Sequence, residues 1–394
     1  MTSPRTRPAP SLPLRWHLLR HRFDRDRFAL EGHHHRNVVV ALREPLASAV
    51  GAQAGELGKF RTRLRTPEVV PRAWYDEGAV LQAVSPYLPA VPRSLTTDRR
   101  HALHSYVDGA ALADSAPPPG PVGRETLRRI AALLASLSDV PSHALPPLPE
   151  GWPEEGDSTT FLQHLATFAH EKVYVGNLRR FGALFDALGV PTDAVERFGV
   201  EAKRLTPRPY GLLHSDVHRA NLVVGHGSSG PGGRLTLVDW ENALYGDPLH
   251  ELATHTVRME YPPEERARLL GLWRRGMRAR GSGHVEKLAA MKRDFALYVD
   301  FEHAQSVFPD TMRAALALPW LARDEHFHKA ALRVHRALSR ARAPLQLTSV
   351  PGLPEVGAAL RAWHRKHRNG ALRVRLSRRS PRSIASVREA FTRG

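Results

Sequence analysis

Within the eight positions from His214 to Asn221, inside the stretch GLLHSDVHRANLVV (Gly211 to Val224), the chain places His214, Asp216, His218 and Asn221, and Asp239 stands eighteen residues beyond Asn221. A carboxylate such as Asp216 can orient an attacking hydroxyl and take its proton, while amide and carboxylate oxygens suit a hard cation that holds phosphates. Phosphoryl transfer asks for those parts and for little covalent chemistry from the protein. A rival reading gives His214, Asp216 and His218, with the histidines at 33–35, to a transition metal that drives hydrolysis. H-x-D-x-H is an uncommon zinc spacing, and that reading leaves Asn221 and Asp239 without a task.

Side chains so far apart need elements to hold them. NLVV and RLTLVDW flank the Gly-rich GHGSSGPGG and read as a hairpin that brings Asn221 and Asp239 to one end of adjacent strands. Upstream, FALEGHHHRNVVVAL, ELGKFRTRL and EVVPRAW read as strands, and RHALHSYVDGAAL as another that ends at a turn around Asp108 and Gly109. Between them a helix fits YDEGAVLQAVSPYL, with Val80, Leu81 and Val84 at helical spacing and Pro86 to end it. Beyond SAPPPGPVG the period turns helical: Leu127, Ile130, Leu133, Leu134 and Leu137 mark one face, and similar patterns run through FLQHLATFAHEKV, PEERARLLGLWRRGM and KLAAMKRDFALYVDFEHAQSVF. A small strand-rich part thus precedes a large helical one, an α+β chain divided at 1–28 (an Arg/Pro-rich extension), 29–107, 108–343 and 344–394 (a basic extension).

Composition narrows the function classes. The net charge is +18, but residues 361–394 hold eleven Lys or Arg against one acid, Glu389, so +10 of the total sits in the last 34 residues. The rest of the chain is only mildly basic, which argues against a nucleic-acid partner for the body and leaves the tail open. Without cysteine there are no disulfides or thiolate metal sites. No apolar run approaches the ~18 residues that span a bilayer, and the Arg-rich start lacks the apolar core of a secretory signal, so the expectation is a cytoplasmic protein without a membrane partner.

HSDVHRANLVV followed by LVDWENALYGDPLHELATH resembles the signature of the aminoglycoside phosphotransferase and choline kinase-like family, whose members have a bilobal protein-kinase-like fold and phosphorylate hydroxyls of small molecules. The D-x-x-x-x-N spacing of Asp216 and Asn221 is that of the kinase catalytic loop. The resemblance implies ATP and Mg2+ as cofactors, residues 29–107 as a nucleotide-binding lobe and 108–343 as the catalytic and substrate-binding lobe. It makes Asp216 the catalytic base, His214 and His218 braces of its loop, Asn221 and Asp239 the magnesium ligands, and Glu241 a residue just behind the metal-binding turn. The backbone from Ser105 to Val107 would bond the adenine edge. With base and both metal ligands present, an enzyme is favoured over a non-catalytic nucleotide-binding member of the same fold.

The nucleotide-binding part departs from the family pattern. EGHHHRNVVV offers Gly32 and Asn37 where relatives have a loop resembling G-x-x-N. For the cation that meets the phosphates, Lys59 lies eighteen residues before Glu77, a separation that suits a strand-to-helix ion pair, and is preferred over its competitors Arg72 and Arg61. Ser215 replaces the motif's glycine, and Glu251 stands where relatives commonly have Asp. Asp247 is expected to cap a helix with Pro248 in its first position. Asp300, Glu302 and Asp310 could face a cationic acceptor, which points to an aminoglycoside or another amino alcohol.

Overall fold

Alternation builds the first sheet. In the computed structural model, which describes residues 28–30, 35–63, 68–96, 101–225, 233–281 and 288–377, strands β1 (Phe28–Leu30), β2 (His35–Ala41), β3 (Leu57–Arg63), β4 (Ser94–Thr96) and β5 (His101–Ser105) form an antiparallel sheet in the order β1-β2-β3-β5-β4. Gly32, two of the three histidines and the tail from 378 lie outside the described residues. Period-two geometry sends Val38, Val40, Phe60 and Leu103 into one core cluster with Leu42 and Leu46. The register sets Lys59 opposite Val39 and Arg61 opposite Asn37, so these two cations of β3 belong to the other face.

The strand expected over EVVPRAW does not form, and residues 68–74 are irregular. Pro71 has no N–H to give a ladder. Trp74 is tied instead to a segment 72 residues further on by Nε1, which donates to the Pro146 carbonyl at 2.9 Å. Helix α1 (Glu77–Val84) follows, capped by Asp76 accepting from the Ala79 N–H at 3.1 Å, and it buries Val80, Leu81 and Val84 as their spacing requires.

The helical part carries α2 (Arg124–Ser136), α3 (Ser158–Phe168), α4 (Leu178–Ala187), α5 (Pro248–Met259), α6 (Pro263–Ala279), α7 (Leu288–Leu316), α8 (Asp324–Ala341) and α9 (Leu353–Ser377). Short strands interrupt it: β6 (Ala110–Ala111), β7 (Gly211–Leu213), β8 (Leu222–Val224), β9 (Leu235–Leu237) and β10 (Leu244–Gly246). β8 and β9 pair antiparallel as the expected hairpin, and β7 pairs with β10. The last residue of that pair, Gly246, has to be a glycine because a Cβ there would collide with the ring of the fully buried Phe161.

Two compact units divide the chain, Met1–Phe168 with Phe198–Glu302, and Ala169–Arg197 with His303–Gly394. In the second, Trp363 of α9 stacks on Phe181 of α4 at 5.3 Å and donates from Nε1 to the Arg180 carbonyl at 2.9 Å. Val356, Leu360 and Trp363, at i, i+4 and i+7, are buried, so the segment 353–367 is packed helix although it falls within the basic extension. Among the described residues no helix is long and apolar enough to cross a membrane.

In the first unit a buried guanidinium organises the approach to α5. Arg208, 2% exposed, donates from Nη1 to Asp247 Oδ2 at 2.8 Å and from Nη2 to Asp294. Asp247 also accepts from Tyr298 Oη at 2.9 Å and caps α5 through the Leu249 N–H at 2.9 Å, as its position before Pro248 implies. Replacing Arg208 with Met should cost about 3–5 kcal/mol, because it strands two buried carboxylates. Urea unfolding would show this as a lower midpoint with unchanged slope.

Candidate active site

Strand β7 delivers the chain to a loop that begins with His214. Its Nδ1 accepts from the Asp216 N–H at 3.3 Å and its Nε2 donates to the Val238 carbonyl at 3.2 Å, while the ring meets Trp240 edge-on at 4.7 Å. Burial lowers the imidazole to about 4, so it is neutral and links the loop to the segment between β9 and Asp239. Both ring nitrogens are used within the protein, which removes His214 from the metal-ligand set of the hydrolase reading. His218 caps the turn 219–221 with Nδ1 accepting from the Ala220 N–H at 3.2 Å, and its Nε2 lies 3.6 Å from Asp216 Oδ1.

The hairpin brings the remaining polar groups together. Asn221 donates from Nδ2 to the Asp216 carbonyl at 2.9 Å and lies 3.4 Å from Asp216 Oδ2, and the Val238 N–H donates to the Asn221 carbonyl at 3.0 Å. Asp239 follows in the left-handed region at φ 72°. An Asp in that conformation costs free energy, which is commonly met at functional turns. Its carboxylate stays 30% exposed and accepts from Arg61.

Arg61, rather than the expected Lys59, makes the ion pair with Glu77, and it bridges Glu77 to Asp239. Although burial disfavours its charge, Asp239 and Glu77 hold the guanidinium fully protonated. Lys59 lies two residues away on the same face. Burial first, and then the Arg61 charge, lower its ammonium. Arg72 is placed elsewhere, donating from Nη2 to Glu241 Oε2 at 2.9 Å. Glu77 also accepts from the Trp240 N–H at 2.9 Å, so α1 grips the turn that carries Asp239 from both sides. At the end of β5, the Ser105 and Tyr106 N–H groups donate to the carbonyls of Arg93 and Leu57, both at 2.9 Å. Among the described residues the Val107 N–H has no such partner in the sheet.

Helix α5 braces the loop from below. Glu251, 3% exposed, accepts from the Ser215 N–H at 2.7 Å, and burial raises its carboxyl to about 7. Seven residues on, two turns along the same face, Arg258 donates from Nη1 to Asp216 Oδ1, and its Nε lies 3.4 Å from Glu302. The sequence reading missed Arg258 and gave Glu302 to an acceptor; Glu302 instead backs Arg258, and Asp310 pairs with Arg333 at 2.8 Å. Arg219, a loop residue also missed, is fully buried and donates to the carbonyls of Ala116, Pro117, Gly120 and Met259.

The glycine that Ser215 replaces has a geometric reason. Ser215 sits at φ 61°, and its buried Oγ has no hydrogen-bond partner among the described residues. Ser215→Gly should therefore stabilise the protein by about 1 kcal/mol, the left-handed penalty less the entropy that glycine adds to the unfolded chain. Thermal unfolding of the variant would show the midpoint rising, and an unchanged or lower midpoint would refute the strain.

Several solved structures are similar to this chain. The ethanolamine kinase of Plasmodium vivax is 13% identical, with 81% of each chain covered and a TM-score of 0.50. Amicoumacin kinase, whose structure is a complex with AMP-PNP, Ca2+ and Ami, is 10% identical, with 84% of this chain and 92% of that one covered and a TM-score of 0.50. A macrolide 2'-phosphotransferase from Brachybacterium faecium is 18% identical over 82% of this chain and 97% of its own, with a TM-score of 0.46. At such identities the first two speak for the fold, which is the bilobal protein-kinase-like one. None of the curated proteins matches the chain. The model of the phosphotransferase enzyme family matches residues 16–284, well over half of the sequence and all of the loop, hairpin and α5 that build the site, so the chain belongs to the phosphotransferase enzyme family.

Proposed function

We propose that this chain is an ATP- and magnesium-dependent kinase that transfers the γ-phosphoryl group to a hydroxyl of a small molecule. The observation that carries the reading is the convergence of Asp216, Asn221 and Asp239 on one hairpin end, with the Arg61–Glu77 pair of the small lobe reaching the same Asp239. Asp216 accepts the proton of the acceptor hydroxyl as its oxygen bonds to the γ-phosphorus. The bond from that phosphorus to the β–γ bridging oxygen breaks, ADP leaves, and the proton later passes from Asp216 to water.

Asn221 and Asp239 fit a magnesium site. With Asn221 Nδ2 given to the Asp216 carbonyl, its Oδ1 remains for a cation, beside a part-exposed carboxylate. Two oxygen side chains are what magnesium takes from a protein when phosphates and water complete its shell, and the ion would neutralise charge on the transferred group. Arg61 is the cation we assign to the phosphates, because it is the one paired with Glu77 and it lies against Asp239, the residue assigned to the magnesium. The Val107 N–H is the donor left for the adenine edge.

Thermal unfolding with ATP, with and without magnesium, together with ADP release in the presence of hydroxylated acceptors, tests the reading. A magnesium-dependent rise in midpoint and acceptor-dependent ADP release are expected. Stabilisation without release from any acceptor would leave a nucleotide-binding protein and refute the kinase.

A further inference from the structure

Arg258 stands against Asp216, the residue proposed as the base. Its guanidinium binds Asp216 through Nη1, and Glu302, itself 3% exposed, stands behind Nε. The side chain is a quarter exposed, and Nη2 makes no hydrogen bond among the described residues. An acceptor whose hydroxyl reaches Asp216 therefore meets a fixed positive charge with two N–H donors still uncommitted. His218 Nε2, 3.6 Å from the same carboxylate oxygen, adds a second nitrogen to that side. Three of the acids that could have received an ammonium group are already engaged, Asp216 and Glu302 by Arg258 and Asp310 by Arg333.

We infer that Arg258 is a specificity-determining residue that selects an acceptor carrying an anionic group, a carboxylate or a phosphate, near the hydroxyl to be phosphorylated. This rests on Asp216 being the base and replaces the amine expected from the acidic run. A cationic acceptor would bring like charge against a guanidinium that Glu302 holds in place, whereas an anion would complete its fork.

The test uses four probes with the same ring: glucose, glucosamine, glucuronate and glucose 6-phosphate. Their dissociation constants are measured by NMR titration of the full-length protein without nucleotide, and their turnover with ATP and magnesium. Glucuronate or glucose 6-phosphate should bind at least about tenfold more tightly than glucosamine, the equivalent of one charge-assisted hydrogen bond. Which of the two binds better distinguishes carboxylate from phosphate. Arg258→Ala should bring the ratio to about one. Arg258→Glu should invert it. The paired variant Arg258→Gln/Glu302→Gln, which removes both charges together, should lose the ratio without leaving an unpaired buried acid. Glucosamine binding as tightly as the anions, no binding by any probe, or a ratio untouched in these variants while turnover falls would each overturn the assignment. The last outcome would place Arg258 on the transferred phosphoryl group. Failure of the kinase reading would appear separately, as absence of magnesium-dependent stabilisation by ATP.

Discussion

Asp216→Asn is expected to lower phosphoryl transfer by roughly 10²- to 10⁴-fold, the range that a positioned general base supplies. The substitution keeps the shape of the side chain and removes its capacity to take a proton. The loop should survive it, because the contacts that set its course run through other atoms. Asn221 Nδ2 bonds the backbone carbonyl of residue 216, the His214 ring accepts from its N–H, and Glu251 holds the Ser215 N–H. Stabilisation by ATP and magnesium should therefore stay within a factor of a few of the parent while turnover collapses. Ligand-dependent unfolding measures the stabilisation and steady-state ADP release the turnover. Transfer surviving within tenfold would take the base away from Asp216.

Acidification should unfold the protein earlier than its carboxylates alone would require. His214, His250 and His255 are buried and neutral, lowered by burial to about 4, 3 and 4. Each is held below its unfolded value, so its contribution is complete above the ordinary histidine range and is lost as pH falls toward its folded value. Glu251 has the opposite sign. Raised to about 7, it favours the folded state at low pH and loses that contribution as pH rises through 7. Three histidines outweigh one carboxyl, and from pH 6.5 to 4.5 these four groups together should remove roughly 4–5 kcal/mol of stability. Urea midpoints across that interval measure it. Replacing His250 with Phe should flatten the curve by about one proton's worth, near 1.4 kcal/mol per pH unit at its steepest. A stability flat between pH 4.5 and 6.5 would contradict the neutral histidines.

Much of this was legible in the chain because short-range rules carried it. Period-two alternation placed β2 and β3, the Gly-rich link between NLVV and RLTLVDW gave the hairpin, and Asp247 before Pro248 gave a helix cap. EVVPRAW failed as a strand because a β-branched run says nothing of a proline's missing donor in its middle. Lys59 was preferred to Arg61 because separation along the chain to Glu77, eighteen residues against sixteen, cannot choose between two cations on one strand face. Only the approach of α1 and Asp239, 178 residues from Arg61, decides it. Arg258 was hidden for a similar reason, although its seven-residue spacing from Glu251 would have put both on one face of α5. The Arg208 network joins residues up to 86 positions apart and leaves no local pattern at all.

Arg219 occupies a place that a motif writes as x, yet its guanidinium gathers four main-chain carbonyls, three of them in the proline-rich connector after β6. That connector cannot open to solvent without drawing the loop from 214 to 221 with it. In native-state hydrogen exchange the amides of residues 116–123 and those of the loop from 214 to 221 should open together, as one cooperative unit with a single free energy, rather than as a fraying surface segment beside a rigid site.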